Sequence, residues 1–318
     1  MEVKLEKGPL AQMTADVVVF GVFEDEPVET ALQEALLELS PALTTQVQEL
    51  ASFEKFKGKA GEMLSLYPTD KVPARRFILA GLGKRDDFST TVRKTAASLS
   101  RKLGSKEQYR QVCLALRSNG DSTLIQSAVE GWILGSYSFL VYKTAKDESE
   151  QEKKPLAELV FIDSSMDIAA FESASRTGRV IAESTCFARD LINEPACNMT
   201  PSKLAQVAAS LTSERVSCRI IEEDEAARLG MGSFLGVSRG SHQPPKFIEL
   251  QYLGENPRFF AGIAGKGITF DSGGLSLKTA QGMETMKYDM AGAAATLALI
   301  KSLSELEVPV RVLAVIAA

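Results

Sequence analysis

Residues 265–278, GKGITFDSGGLSLK, set two lysines and an aspartate among small residues. Lys266 stands five positions before Asp271, and Lys278 seven after it. A second carboxylate, Asp289, lies in METMKYDMAGAAATLALIKSL (283–303), immediately before an alanine-rich helical pattern. Lys266, Asp271 and Asp289 are therefore candidates to converge on one cation. A lysine donates its lone pair to a metal only when neutral, which burial and the metal's own charge must enforce. Lys278 suits the opposite role, a protonated electrophile beside a developing oxyanion. Each residue also has a plainer reading. The glycines suit a tight turn, Asp271 a turn residue, Asp289 a helix N-terminus and Lys278 a solvated surface. The segment matches neither phosphate-binding spacing, having no GxxxxGK[ST] and no GxGxxG. His242, the only histidine, sits in RGSHQPP and without a histidine partner makes a poor metal ligand.

The elements that must position these side chains follow from hydrophobic patterning. FFAGIAGK (259–266) predicts a strand running into the glycine-rich loop, and ligands bind at carboxyl ends of strands in open α/β sheets. In the first half, VVVF (17–20), ARRFILAGLG (74–83) and QVCLAL (111–116) predict short buried strands. Helical patterns over 30–40, 91–104 and 125–137 separate or follow them. This alternation predicts a mostly parallel sheet covered by helices. KTAKDESEQEKKP (143–155) is nearly devoid of apolar residues and predicts a linker, dividing an N-terminal α/β domain (1–150) from a second α/β unit (156–318). The second unit opens on LAELVFID (156–163), followed by a long amphipathic helix that Asn193 and Pro195 should end. Thr200 and Pro201 predict the N-cap and first position of the next helix. Strands are predicted over 217–223, 245–253 and 308–318. The last is apolar, with no cap, helix or polar tail after it, so the chain reads as incomplete and that strand as short of neighbours to bury it.

Composition bounds the function. With 45% hydrophobic and 24% charged residues the chain has the make-up of a soluble globular protein. Its net charge of −5 offers no basic footprint for nucleic acid or an anionic membrane. No apolar run reaches the roughly 20 residues needed to span a bilayer. MEVKLEKGPL lacks the pattern of a secretion signal. Cys113, Cys186, Cys197 and Cys218 are scattered without paired spacing, which suits the reducing cytoplasm.

GKGITFDSGGLSLK followed by MKYDMAGAAA resembles the metal-site segment of the leucyl aminopeptidases, the cytosolic M17 metallopeptidase family. RDLINEPACNMTPSKLA (189–205) and MGSFLGVSRGSHQPPKFIEL (231–250) resemble that family's segments at the start of its catalytic domain and leading into its metal site. The resemblance runs from about Arg189 to the end; the first 150 residues share only the general character of the family's N-terminal α/β domain. It implies that residues 156–318 belong to the larger α/β catalytic domain, its central sheet flanked by helices. It implies Lys266, Asp271 and Asp289 as ligands of two divalent ions, manganese or zinc (magnesium also occurs in the family), with Asp271 bridging both. It implies Lys278 as the lysine that polarises the scissile carbonyl, and Met286 as a wall of the pocket for the substrate's first side chain. Met286 could equally be plain core. The implied activity is release of N-terminal residues, preferably leucine or other bulky apolar ones, from short peptides by a cytoplasmic homo-hexamer. The family's NTDAEGR motif is absent, so the 318-residue chain is expected to be inactive alone. Two rival readings are an inactive structural or binding subunit and a DNA-binding regulatory member; the negative charge argues against the second.

Overall fold

The computed structural model describes residues 1–10, 14–36, 41–68, 74–104, 109–144, 156 and 158–318. Two units, Met1–Ala182 and Glu183–Ala318, meet within one long helix. The predicted linker falls almost wholly on 145–155, outside the described residues.

The first unit runs β1 (Glu2–Glu6), β2 (Ala15–Val22), α1 (Val28–Leu36), α2 (Pro41–Phe53), β3 (Met63–Leu66), β4 (Ala74–Gly81), α3 (Phe88–Gly104), β5 (Gln111–Ala115), α4 (Ser122–Ser136), β6 (Glu158–Ile162) and the start of α5 (Ile168–Asn193). Its sheet has the order β1-β6-β5-β2-β4-β3, parallel except for β3 against β4. Burial on both faces explains the strand compositions. In β2, Val17 and Val19 pack with α3 and α4, while Val18, Phe20 and Val22 pack with α1 and α2. β5 repeats the division with Val112 and Leu114 on one side and Cys113 and Ala115 on the other. A strand covered on both faces reads as a continuous apolar run, which is why VVVF and QVCLAL stood out. α4 begins at Asp121, whose side chain accepts from the Thr123 N–H.

The second unit holds the end of α5, then α6 (Pro201–Ser210), β7 (Val216–Ile221), α7 (Glu223–Arg228), α8 (Gly232–Ser238), β8 (Phe247–Leu253), β9 (Phe260–Lys266), α9 (Ala280–Met283), α10 (Ala291–Leu306) and β10 (Arg311–Ala317). α5 stops at Asn193. Thr200 caps α6 by accepting from the Lys203 N–H, with Pro201 at the first turn. The sheet order is β7-β8-β10-β9, with only β10 and β9 parallel. Ile248, Leu250 and Tyr252 of β8 and Val312, Ala314 and Ile316 of β10 form one core with Ala293, Ala294, Leu297 and Ile300 of α10.

The last strand corrects an expectation. β10 is not short of neighbours: β8 and β9 flank it and alternate residues are buried. Beside β7, the edge strand is β9, which precedes β10 in sequence, because the crossover through α10 inserts β10 between β8 and β9.

Candidate metal centre

β9 and β10 pair in parallel as far as Ala317 opposite Lys266, which places Lys266 at the carboxyl end of β9. From there its Nζ lies 2.9 Å from Oδ1 and 2.8 Å from Oδ2 of Asp289. Asp289 follows a tight 3-10 turn, Met286–Tyr288, and donates its N–H back to the Met286 carbonyl at 3.3 Å. It is thus not the cap of α10; Met290 holds that position. The strand end and the helix start are pressed together. A Cβ placed on Gly292 would stand 2.9 Å from the Lys266 backbone nitrogen, so a larger residue there would push Asp289 and Lys266 apart.

Asp271 lies in the loop after β9. Its Oδ1 accepts from the Gly273 N–H at 2.8 Å, and its Oδ2 meets Lys278 Nζ at 2.8 Å. Gly273 has φ +94°, a conformation L side chains rarely adopt, and a Cβ there would lie 2.4 Å from the Ser276 carbonyl. That turn returns the chain on itself, with the Lys278 N–H donating to the Ser272 carbonyl at 2.9 Å. The Lys278 ammonium, helped by the Gly273 N–H and by the charge of Lys266, holds the Asp271 carboxyl below the usual carboxylate range against a smaller opposing effect of desolvation. Lys278 Nζ also lies 2.8 Å from Met286 Sδ.

The five residues singled out in the sequence therefore form two linked groups, Lys266 with Asp289 and Asp271 with Lys278 and Met286. Lys266 also acts on Asp271 through its charge. His242 lies exposed between α8 and β8, apart from them in sequence. Among the described residues no three of His, Cys, Asp and Glu gather as a metal nest. Any cation here draws on two carboxylates and an amine. Asp289 Oδ2 is buried and meets the Lys266 ammonium as an ion pair, without a well-aligned hydrogen bond. Sequence reasoning missed Lys287, whose Nζ donates to the Asn193 carbonyl at 2.8 Å and anchors the Met286–Tyr288 turn to the end of α5. Its one signal was its place between Met286 and Asp289.

The model for the cytosol aminopeptidase family catalytic domain matches residues 186–318, and the model for the same family's N-terminal domain matches residues 19–146. The chain belongs to the cytosol aminopeptidase family. Among its relatives, a probable cytosol aminopeptidase of Alkaliphilus metalliredigens is 35% identical over all of this chain and 64% of its own length. One from Gloeothece citriformis is 35% identical over 98% of this chain and 63% of its own. Of solved structures, a mutant of tomato leucine aminopeptidase superposes with TM-score 0.81 at 25% identity, covering 100% of this chain and 62% of that one. The bottromycin maturation enzyme BotP, solved in complex with Mn, gives TM-score 0.74 at 29% identity over 96% of this chain and 59% of that one. The chain spans less than two thirds of the length of each of these proteins.

Proposed function

We propose that this chain serves a metal-dependent aminopeptidase that releases N-terminal residues, preferably leucine or other bulky apolar ones, from short peptides. The observation that carries this reading is the meeting of two lysines and two carboxylates after β9, as the two ion pairs Lys266–Asp289 and Asp271–Lys278. Membership of the family supports it, and BotP, solved in complex with Mn, supports manganese as a metal for the site.

The residues fit a cation. Asp289 presents a buried oxygen that already meets a cation, the Lys266 ammonium, and carboxylates with an amine suit manganese or zinc. Lys266, Asp271 and Asp289 are the residues that would hold two divalent ions. When bound, such ions polarise a carbonyl and activate water at neutral pH. The chain's own residues do the rest. Lys278 presents an ammonium to the oxyanion that develops on the scissile carbonyl. The Met286 sulfur and, in the metal-free chain, the Asp271 carboxylate hold that ammonium beside the loop. Met286, half-buried, offers a polarisable apolar wall to the first side chain of the peptide. A cytoplasmic homo-hexamer is the assembly proposed for the full-length protein. Among the described residues no helix is long and apolar enough to cross a membrane.

The test is hydrolysis of a leucyl amide by a protein of the relatives' full length, with manganese added and then removed by a chelator. Loss of turnover on chelation and its return with manganese are expected. Turnover that ignores the chelator, or none under any metal, would sink the proposal.

A further inference from the structure

The turn that presents Met286 and Asp289 is held to the rest of the chain by few contacts. The stretch before it is open: residues 279–282, Glu284 and Thr285 are exposed, and Met283 is half-buried. After it, Met290 is fully buried in one core with Leu191 of α5 and Met199. Between them the 3-10 turn Met286–Tyr288 is closed by two backbone bonds. The Tyr288 N–H donates to the Thr285 carbonyl at 3.0 Å, and the Asp289 N–H to that of Met286 at 3.3 Å. Side chains three apart in such a turn eclipse each other. Met286 and Asp289 therefore share one side, toward Lys278 and Lys266, and Lys287 is directed to another.

There Lys287 Nζ donates to the Asn193 carbonyl at 2.8 Å. Asn193 ends α5, where carbonyls run out of intrahelical partners and the helix carries partial negative charge. An ammonium is favoured at that position, and a charged donor makes a stronger bond than a neutral one.

The other polar contacts of these side chains are made to the site itself. Met286 meets Lys278, and Asp289 meets Lys266. A cation on Asp289 competes with the Lys266 ammonium for that carboxylate, and an oxyanion on Lys278 competes with the Met286 sulfur. Among the described residues, Lys287 to Asn193 is the polar tie made by the side chains of Met286, Lys287 and Asp289 that loading the site leaves untouched.

We propose that Lys287 is a positioning residue. By tying the turn to the end of α5 it holds Asp289 for a divalent ion and Met286 for the first side chain of the peptide. This role rests on the metal-dependent peptidase reading, in which Asp289 is a ligand and Met286 a pocket wall. Lys287 acts through these two residues, its own ammonium being engaged at α5.

The experiment is manganese binding, by calorimetry, to a protein of the relatives' full length. Lys287→Met keeps the length of the stem and removes the donor. It should weaken manganese binding roughly tenfold or more, the scale of removing a group that orients a metal ligand. The number of sites per protein should stay the same, whereas a variant that merely unfolds would lose sites at unchanged affinity. The ratio of kcat/KM for leucyl over glycyl amides should fall as well, mostly through KM. Lys287→Arg keeps a charged donor and should recover most of the affinity. Unchanged affinity or an unchanged ratio in Lys287→Met, a loss of sites alone, or a Lys287→Arg no better than Lys287→Met would overturn the proposal. If Lys287→Met does not fold, Lys287→Gln, a shorter neutral donor, is read by the same criteria. An unaltered protein that binds no manganese would sink this role and the peptidase reading together. One that binds it while Lys287→Met is indifferent sinks this role alone.

Discussion

Lys278 Nζ and Asp271 Oδ2 stand 2.8 Å apart, although seven positions separate the residues along the chain. The turn at Gly273 makes the contact, and Met286 Sδ closes on the same ammonium at 2.8 Å. A lysine on an exposed glycine-rich loop would otherwise sample many rotamers. Here Asp271 and Met286 hold it in one orientation.

Lys278→Ala, in a protein of the relatives' full length, should lower turnover by about a hundredfold or more, the scale of losing one oxyanion donor. Metal content, read by atomic absorption, should stay normal. Retained turnover would remove Lys278 from the mechanism.

Met286→Ala should weaken the preference for leucine-like first residues while changing glycine-like substrates little in KM. Because the Met286 sulfur also touches Lys278, a modest fall in kcat common to both substrates should accompany it. An equal loss of kcat/KM on all substrates, with no change in preference, would speak for a core role alone.

Asp271 should matter more to metal content than Asp289 if it is shared between two ions. Asp271→Asn and Asp289→Asn, dialysed against manganese and measured for bound metal, should lose metal in that order. Equal losses would argue against sharing.

Asp163 ties the loops after β5 and β6. Burial would raise its carboxyl, but hydrogen bonds from the Ser118 and Ser165 hydroxyls and the Ser165 and Gly120 N–H groups prevail and hold it below the usual range. An acid with a lowered folded value binds fewer protons folded than unfolded. Its stabilisation is full above the unfolded pKa of about 3.9 and is lost as pH falls through the folded value. Denaturant midpoints measured across that acid range should fall more steeply for the unaltered chain than for Asp163→Asn; parallel curves would refute the assignment.

Cys113, buried in β5, has its thiol pushed up to about 12, by burial first and then by Glu6 and Glu158. Cys197 is exposed. A thiol reagent at mildly alkaline pH should label Cys197 first, and Cys113 only on unfolding, since the thiolate is the reactive form. Mass spectrometry of the labelled peptides would show the order.

What the sequence determined by itself is local. Buried strands declared themselves because a sheet covered on both faces needs unbroken apolar runs, as in VVVF and QVCLAL. The start of α6 at Thr200 and Pro201 was legible because capping depends on adjacent residues. The site's residue types were legible for the same reason, gathered within 266–289. The short strands β1 and β3 escaped, since EVKLE and MLSL carry too little pattern to stand out until a neighbour pairs with them. Tertiary structure alone decided who meets whom. The insertion of β10 between β8 and β9 depends on a crossover that no local pattern encodes, and it made β9 an edge strand. The pairing of Lys266 with Asp289 and of Lys278 with Asp271, rather than the reverse, came from the close approach at Gly292 and the turn at Gly273. Coulomb attraction favours either pairing; backbone geometry selects one.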